Sequence, residues 1–219
     1  MIVYAYRGAT VHQPVEASSI PSLTIASFED GLKKVITGAR GTFNIDSRAG
    51  DSLKLNFNFS GAYVEPTDVA LLTDVETDGL VPPPFLSAAF TIDDGAYADA
   101  IISEYNIDAG AVVSPRTDAS AASGILSFDV TDRAPSVQLN PEKTLMANHN
   151  VYSKITASTR ESIYARAGST SGNRMELYSC VQYHTPDETE EGGRDLLSQP
   201  GMLKAFSDAG DDELFITIY

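Results

Sequence analysis

The residue types that could do chemistry are few here, and they stand far apart. The three histidines are His12, His149 and His184. They form no HxxxH or HxH pair and fit none of the zinc spacings, so each reads as a surface or structural histidine. Cys180 is the one cysteine, which rules out a disulfide or a cysteine metal cluster within one chain and suits a reducing compartment. It alternates with Met175, Leu177, Ser179 and Val181 on the opposite register, with no basic neighbour in the sequence to lower its pKa; an inert, half-buried thiol is expected. Asp208-Ala209-Gly210-Asp211-Asp212-Glu213 has calcium-loop residue types without the twelve-residue ligand spacing, and reads as a solvated turn. There is no G-x-S-x-G elbow, phosphate-binding loop or dinucleotide fingerprint. Carboxylates are numerous enough for a glycosidase pair, but a chain without Trp lacks the usual sugar platform. The expectation is no catalysis, no cofactor and no metal.

Charge points the same way. The chain of 219 residues carries a net charge of −15. Residues 1–60 are nearly balanced, and the excess of carboxylates lies in 61–219. Between Lys54 and Arg116 there is no Lys or Arg, while Asp and Glu recur from Glu65 to Asp108. A protein that grips phosphates needs the opposite. An acidic, solvated surface follows, or one that must sit near a polyanion without holding it. No stretch approaches the roughly 18–20 apolar residues of a membrane helix, and the N-terminus lacks the pattern of a secretory signal.

The elements are short and mostly extended. The strongest pattern is at Gly38–Pro66, where Leu53, Leu55, Phe57 and Phe59 alternate with Lys54, Asn56, Asn58 and Ser60. Phe43 and Ile45 alternate ahead of a polar link, Ser47–Asp51. The spacing predicts a β-hairpin with a buried apolar face and a polar, largely uncharged face. Each large side chain on the apolar face contributes about 1.5–3 kcal/mol if fully buried. Strands are also expected at 23–28, 32–37, 86–92, 97–107, 111–114, 124–130, 136–139, 162–167, 174–183 and 214–219. Residues 1–21 read as an N-terminal arm or edge strand with a linker, and 22–219 as a single domain. Residues 64–86 read as a long acidic loop stiffened by Pro82-Pro83-Pro84, 142–158 as the one helix, and 185–199 as loop. The fold class expected is mainly β, a sandwich or barrel with one flanking α-helix, long loops and an N-terminal arm.

From about residue 22 to 142 the chain resembles the tail tube (major tail) protein of long-tailed, non-contractile bacteriophages. The resemblance is carried by Phe28-Glu29-Asp30-Gly31, Gly38-Ala39-Arg40-Gly41-Thr42-Phe43 and Ala49-Gly50-Asp51, then by Leu55 to Tyr63 and Pro66-Thr67-Asp68. Asp108-Ala109-Gly110, Arg116-Thr117-Asp118-Ala119, Thr131 to Pro135 and Leu139-Asn140-Pro141-Glu142 continue it in order.

That resemblance implies a structural virion protein, assembled in the host cytoplasm, whose hexameric rings stack into a tube that DNA crosses without specific binding. It implies no catalysis and no cofactor. The partners implied are further copies of the chain, the tape measure protein and other tail proteins. Lys54, Asn56, Asn58 and Ser60 become candidates for the lumen wall, where a Lys/Arg-poor surface would avoid retaining DNA. Lys54 fits such a wall only if a carboxylate pairs with it; otherwise the polar face points elsewhere and another sheet lines the channel. Asp68, Asp74, Glu76, Asp78, Pro82, Pro83 and Pro84 become candidates for an inter-ring loop, and Tyr4 and Tyr6 for an arm that contacts a neighbour. Two other readings remain: a tail component of related fold, such as a terminator or distal-tail ring, and a carbohydrate-binding β-sandwich adhesin.

Overall fold

A computed structural model describes the chain except residues 1, 7–8, 16–18, 71, 74, 77–78, 80, 87–88, 98–99, 122 and 171; for 2–6 and 9–11 it describes the backbone alone. The fold is mainly β, an open sandwich-like arrangement and not a closed barrel. The strands are β1 (Ile2–Tyr6), β2 (Ala9–Gln13), β3 (Leu23–Glu29), β4 (Leu32–Arg48), β5 (Lys54–Asp68), β6 (Thr91–Ile92), β7 (Ile102–Asp108) and β8 (Ala111–Thr117). They continue with β9 (Ile125–Arg133), β10 (Ser136–Pro141), β11 (Glu161–Thr170), β12 (Asn173–Tyr183), β13 (Asp187–Glu191), β14 (Arg194–Leu203) and β15 (Leu214–Ile218); the helix is α1 (Val151–Thr156).

The main sheet is antiparallel and runs β1-β2-β15-β12-β14-β10-β7-β4-β3, with β11, β13 and β5 branching from β12, β14 and β4. Its corner lies on β12. One edge of β12 pairs with β11, while its other edge is shared by β15 at Met175–Ser179 and β14 at Val181–Tyr183. The sheet folds there, and two sets of alternating apolar residues meet. Ile45, Tyr105, Ile107, Val137, Leu139 and Leu203 come from one side; Ile163, Ala165, Leu177, Val181, Leu214 and Ile216 come from the other. Along β11, Glu161, Ile163, Ala165 and Ala167 are buried and the residues between them half-buried, the period-2 alternation that a strand with one core face must show.

Several expectations change. The strand expected at 32–37 and the first strand of the hairpin are one strand, β4. A register shift between Thr37 and Arg40, with Gly38 at a φ of +60°, lets the strand bend without ending. Strand β5 runs on to Asp68, so the loop begins later than residue 64; Pro66 is tolerated because β5 is an edge strand with no second ladder to supply. The helix expected at 142–158 is confined to Val151–Thr156. Asn148 closes a separate turn onto the Leu145 carbonyl, and the Asn150 side chain accepts from the Ser153 N–H, which starts the helix there. Residues 185–199 are not loop but the β13–β14 hairpin, turned by Gly192-Gly193, both at positive φ. The N-terminal segment is a β1–β2 hairpin whose second strand adds to β15.

Candidate functional site

Strand β4 is much longer than the body needs. On one edge it pairs with β5 along nearly its whole length. On the other it pairs with β7 at Asn44–Arg48 and with β3 at Leu32–Ala39. Past Asn44, therefore, β3, β4 and β5 form a ribbon that leaves the body. Among the described residues, the outer edges of β3 and β5 pair with no strand. The β8–β9 hairpin braces its root: the Ala111 N–H donates to Thr42 Oγ1 at 3.2 Å, and Arg40 reaches the Phe128 carbonyl and, at 2.8 Å, Asp129.

The ribbon corrects the expected core face. Leu53 and Leu55 pack against the core, but Phe57 is 57% exposed and Phe59 is exposed beside it. The alternation is intact; the covering layer is missing, because the strands outrun it. Phe43, Phe57 and Phe59 form a row with ring centroids 5.9 Å apart at each step. The row forms one wall of an apolar groove of about 350 Å³, floored by Ala39, Leu214 and Ile216 and bounded by Ile20, Pro21 and Leu23. Arg40 and Arg133 stand at its sides. Arg133 is held by Asp211 at 2.7 Å and Glu213 at 2.8 Å, which gives two carboxylates of the 208–213 segment a structural task.

The opposite face gathers the expected polar residues. Lys54, Asn56, Asn58 and Ser60 are all exposed. Lys54, Asn56 and Asn58 stand across from Asp46, Asn44 and Thr42. Asn56 Nδ2 donates to Asp46 Oδ2 at 2.6 Å, and Asn44 Nδ2 donates to Asp46 Oδ1 at 3.0 Å. These side chains line a shallow depression of about 350 Å³ that continues over Asn106, Asp108 and Gln138. Its chemistry is amide and carboxylate. Lys54 lies opposite Asp46 in register but makes no ion pair among the described residues.

The acidic segment after β5 is anchored at both ends. Asp68 ends β5, and the Val69 N–H donates to the Gly31 carbonyl at 2.8 Å. Pro84 bridges Ser52, and Phe85 exchanges backbone hydrogen bonds with Gly50 and Asp51 while its ring is buried. Asn173 Nδ2 donates to the Val81 carbonyl at 2.9 Å. Glu76 and Pro82 are exposed and Pro83 is half-buried against Gly168. Asp74, Asp78 and the side chains of Tyr4 and Tyr6 lie outside the described residues.

One titratable cluster escaped the sequence. His149 Nε2 lies 2.9 Å from Glu161 Oε2, and Lys154 Nζ lies 2.8 Å from Glu161 Oε1 and 3.0 Å from Asp93 Oδ2. Glu161 is fully buried, and the His149 ring stacks on Tyr97 at 5.1 Å. Burial pushes the Glu161 carboxyl up, but hydrogen bonds and charge from His149 and Lys154 outweigh it and hold the carboxyl below its ordinary range. The cluster fastens α1 to β11. Spacing in the chain gave no signal, since its members come from three separate segments. Cys180 is buried, and burial raises its thiol pKa against the opposing charge of Arg160, as an inert thiol requires.

No family model matches this chain, and no curated protein matches it significantly. Among the described residues, no helix is long and apolar enough to cross a membrane.

Proposed function

We propose that the protein is a structural, self-assembling virion component: a tail tube subunit whose hexameric rings stack into a conduit for DNA. The observation that carries this reading is the β3–β4–β5 ribbon. It presents two unpaired strand edges, one apolar face with exposed aromatics, and one amide-rich face. A long unpaired edge is a template for another chain, and a monomer ordinarily blunts it. Here the β3 edge of one copy can take the β5 edge of the next, and six such steps close a ring. The apolar face then turns toward protein, and the Asn56–Asn58 face toward the lumen.

A wall of amides and carboxylates gives passing DNA few counterion-releasing contacts. Lys54 does not meet the pairing condition among the described residues, since Asp46 accepts from Asn44 and Asn56 instead, so the lumen reading of this face is carried by Asn56, Asn58 and Ser60. Purified protein at high concentration is expected to form rings or tubes of constant diameter in negative-stain micrographs. A species that stays monomeric at every salt and protein concentration overturns the reading. In assembled particles, Asn56→Lys with Asn58→Lys is expected to slow DNA ejection; an unchanged rate removes the lumen assignment of this face.

A further inference from the structure

A further pocket lies in the body rather than on the ribbon. It opens between residues 141–146, the start of α1 and β14, and holds about 170 Å³. At about 30 Å³ of liquid volume per water, that is room for about five or six waters, or for one six-membered ring with its substituents. Tyr97 lines it, fixed by reciprocal backbone hydrogen bonds with Ile92 of 3.1 and 3.2 Å. Met146, 54% exposed, and Tyr152, 39% exposed, also line it and stand where it meets solvent.

The wall is polar, yet its charges are already matched. Gln199 lines the pocket from β14; it is 1% exposed, and its Oε1 has no hydrogen-bond partner among the described residues. A buried amide oxygen without a donor is destabilising, and a native fold that keeps one at a pocket calls for a donor from outside the chain. Thr144 Oγ1 accepts from Asn148 Nδ2 at 2.9 Å, which leaves its own O–H to donate. Of the two carboxylates on the lining, Glu188 is paired with Lys143 at 2.7 Å and Glu142 with Arg194 at 3.2 Å. His149 already faces Glu161.

These features select among ligands. A charged ligand would compete with the Glu188–Lys143 and Glu142–Arg194 pairs. A plain hydrocarbon ring would leave the Gln199 amide and the Thr144 hydroxyl without partners. A neutral ring with several hydroxyls meets both demands, because each hydroxyl donates and accepts while the ring's C–H face suits Tyr and Met. We propose that this pocket binds one neutral sugar residue, with a hydroxyl donating to Gln199 Oε1 and the C–H face against Tyr97 and Tyr152. The absence of Trp does not forbid this, since Tyr also offers a flat ring with a polar tip. The inference does not rest on the self-assembly reading, because no lining residue of this pocket belongs to β3, β4 or β5.

The test is saturation-transfer NMR on the full chain with millimolar methyl glucoside, methyl galactoside, methyl mannoside and N-acetylglucosamine. Cyclohexanol, an apolar ring with a single hydroxyl, is run beside them. The expected result is transfer to at least one of the sugars, strongest at its ring C–H protons. Gln199→Leu should weaken that sugar about tenfold, the scale of one buried hydrogen bond. Tyr152→Ala, at an exposed position, should weaken it as well and leave the fold intact. No transfer to any of the sugars from folded wild type overturns the proposal. Transfer to cyclohexanol alone also overturns it and marks a merely apolar cavity. Unchanged sugar affinity in folded Gln199→Leu overturns the assignment of this pocket. Should that variant fail to fold, Tyr152→Ala decides in the same way.

Discussion

The body and the ribbon are built from the same alternating pattern and use it differently. In β11, Ile163, Ala165 and Ala167 are buried with β12's Leu177 and Val181; β12 pairs along one edge of the strand and β6 covers Ile163 and Tyr164 on the other. In β5, Leu55, Phe57 and Phe59 alternate just as strictly, but beyond Leu55 they face an open groove over Ala39, Leu214 and Ile216 and stay exposed. Among the described residues, its outer edge has no partner strand either. A chain that leaves fifteen residues of edge strand open invites either aggregation or specific assembly. On the self-assembly proposed above, folding energy lies in the body and association energy in the ribbon. Substitutions in the two regions should therefore move different observables.

The largest expected effect lies in the body. Glu161→Ala leaves Lys154 and the buried His149 without their shared carboxylate. Breaking a buried ionic cluster in this way costs about 3–5 kcal/mol. Urea unfolding midpoints check it. The pH dependence has a definite sign. The folded carboxyl sits below its ordinary value near 4.5, so its contribution is complete above that value and is lost as pH falls through the lower, folded one. The variant should lose this part of the acid limb, and its stability deficit should shrink as the pH drops through that window. A deficit that stays constant with pH would mean that the cluster is only packing. In either case the variant's tendency to form rings, per folded molecule, should be close to wild type, because the cluster is remote from both ribbon edges.

Much of the body was legible in the sequence. The pairs 162–167 with 174–183, and the terminal strand at 214–219, are present as β11, β12 and β15 because alternation and flanking turn residues agree there. The β13–β14 hairpin was not legible, since Asp187–Glu191 has no apolar member and its pairing is backbone alone. Gly192-Gly193 was the available signal. The helix was overcounted because Leu145, Met146, Val151 and Ile155 fit a helical period, although Leu145 and Met146 are exposed. Local hydrogen bonds at Asn148 and Asn150 decided the boundary. The polar face of the ribbon was legible as a set, whereas the exposure of Phe57 and Phe59 was not. Alternation tells which residues share a face; it does not tell whether another layer reaches that face.

A smaller effect is expected where the two regions are tied. Gly168 has a φ of +81°, and a Cβ there would lie 2.4 Å from the Asn173 carbonyl oxygen and 2.8 Å from Pro83 Cβ. Gly168→Ala is expected to cost about 1–3 kcal/mol through backbone strain and displacement of neighbours. It should also shift Pro83, and with it the anchored end of the segment that follows β5. Thermal unfolding reads the first effect. Limited proteolysis within 69–81 reads the second, and cleavage there should become faster than in the wild type. Unchanged proteolysis alongside lowered stability would show that this segment is held by Pro84, Phe85 and Val81 rather than by Pro83.

The smallest expected change in monomer stability is the most telling. Phe57→Ser removes an aromatic ring that would dominate a core if it were buried; truncation of a buried Phe costs about 3–5 kcal/mol. At its exposed position the ring lies beside Phe43 and Phe59 on the wall of the groove. The monomer should therefore lose no more than about 0.5–1 kcal/mol, the scale of one aromatic contact. The same substitution should weaken association strongly, since a ring that is solvated in the monomer and buried between copies contributes its burial only on assembly. Chemical denaturation of dilute protein and sedimentation of concentrated protein separate the two quantities. A loss of several kcal/mol in the dilute monomer would place Phe57 in a folded core after all. The ribbon would then be part of the body, and the division between folding and association surfaces would fall with it.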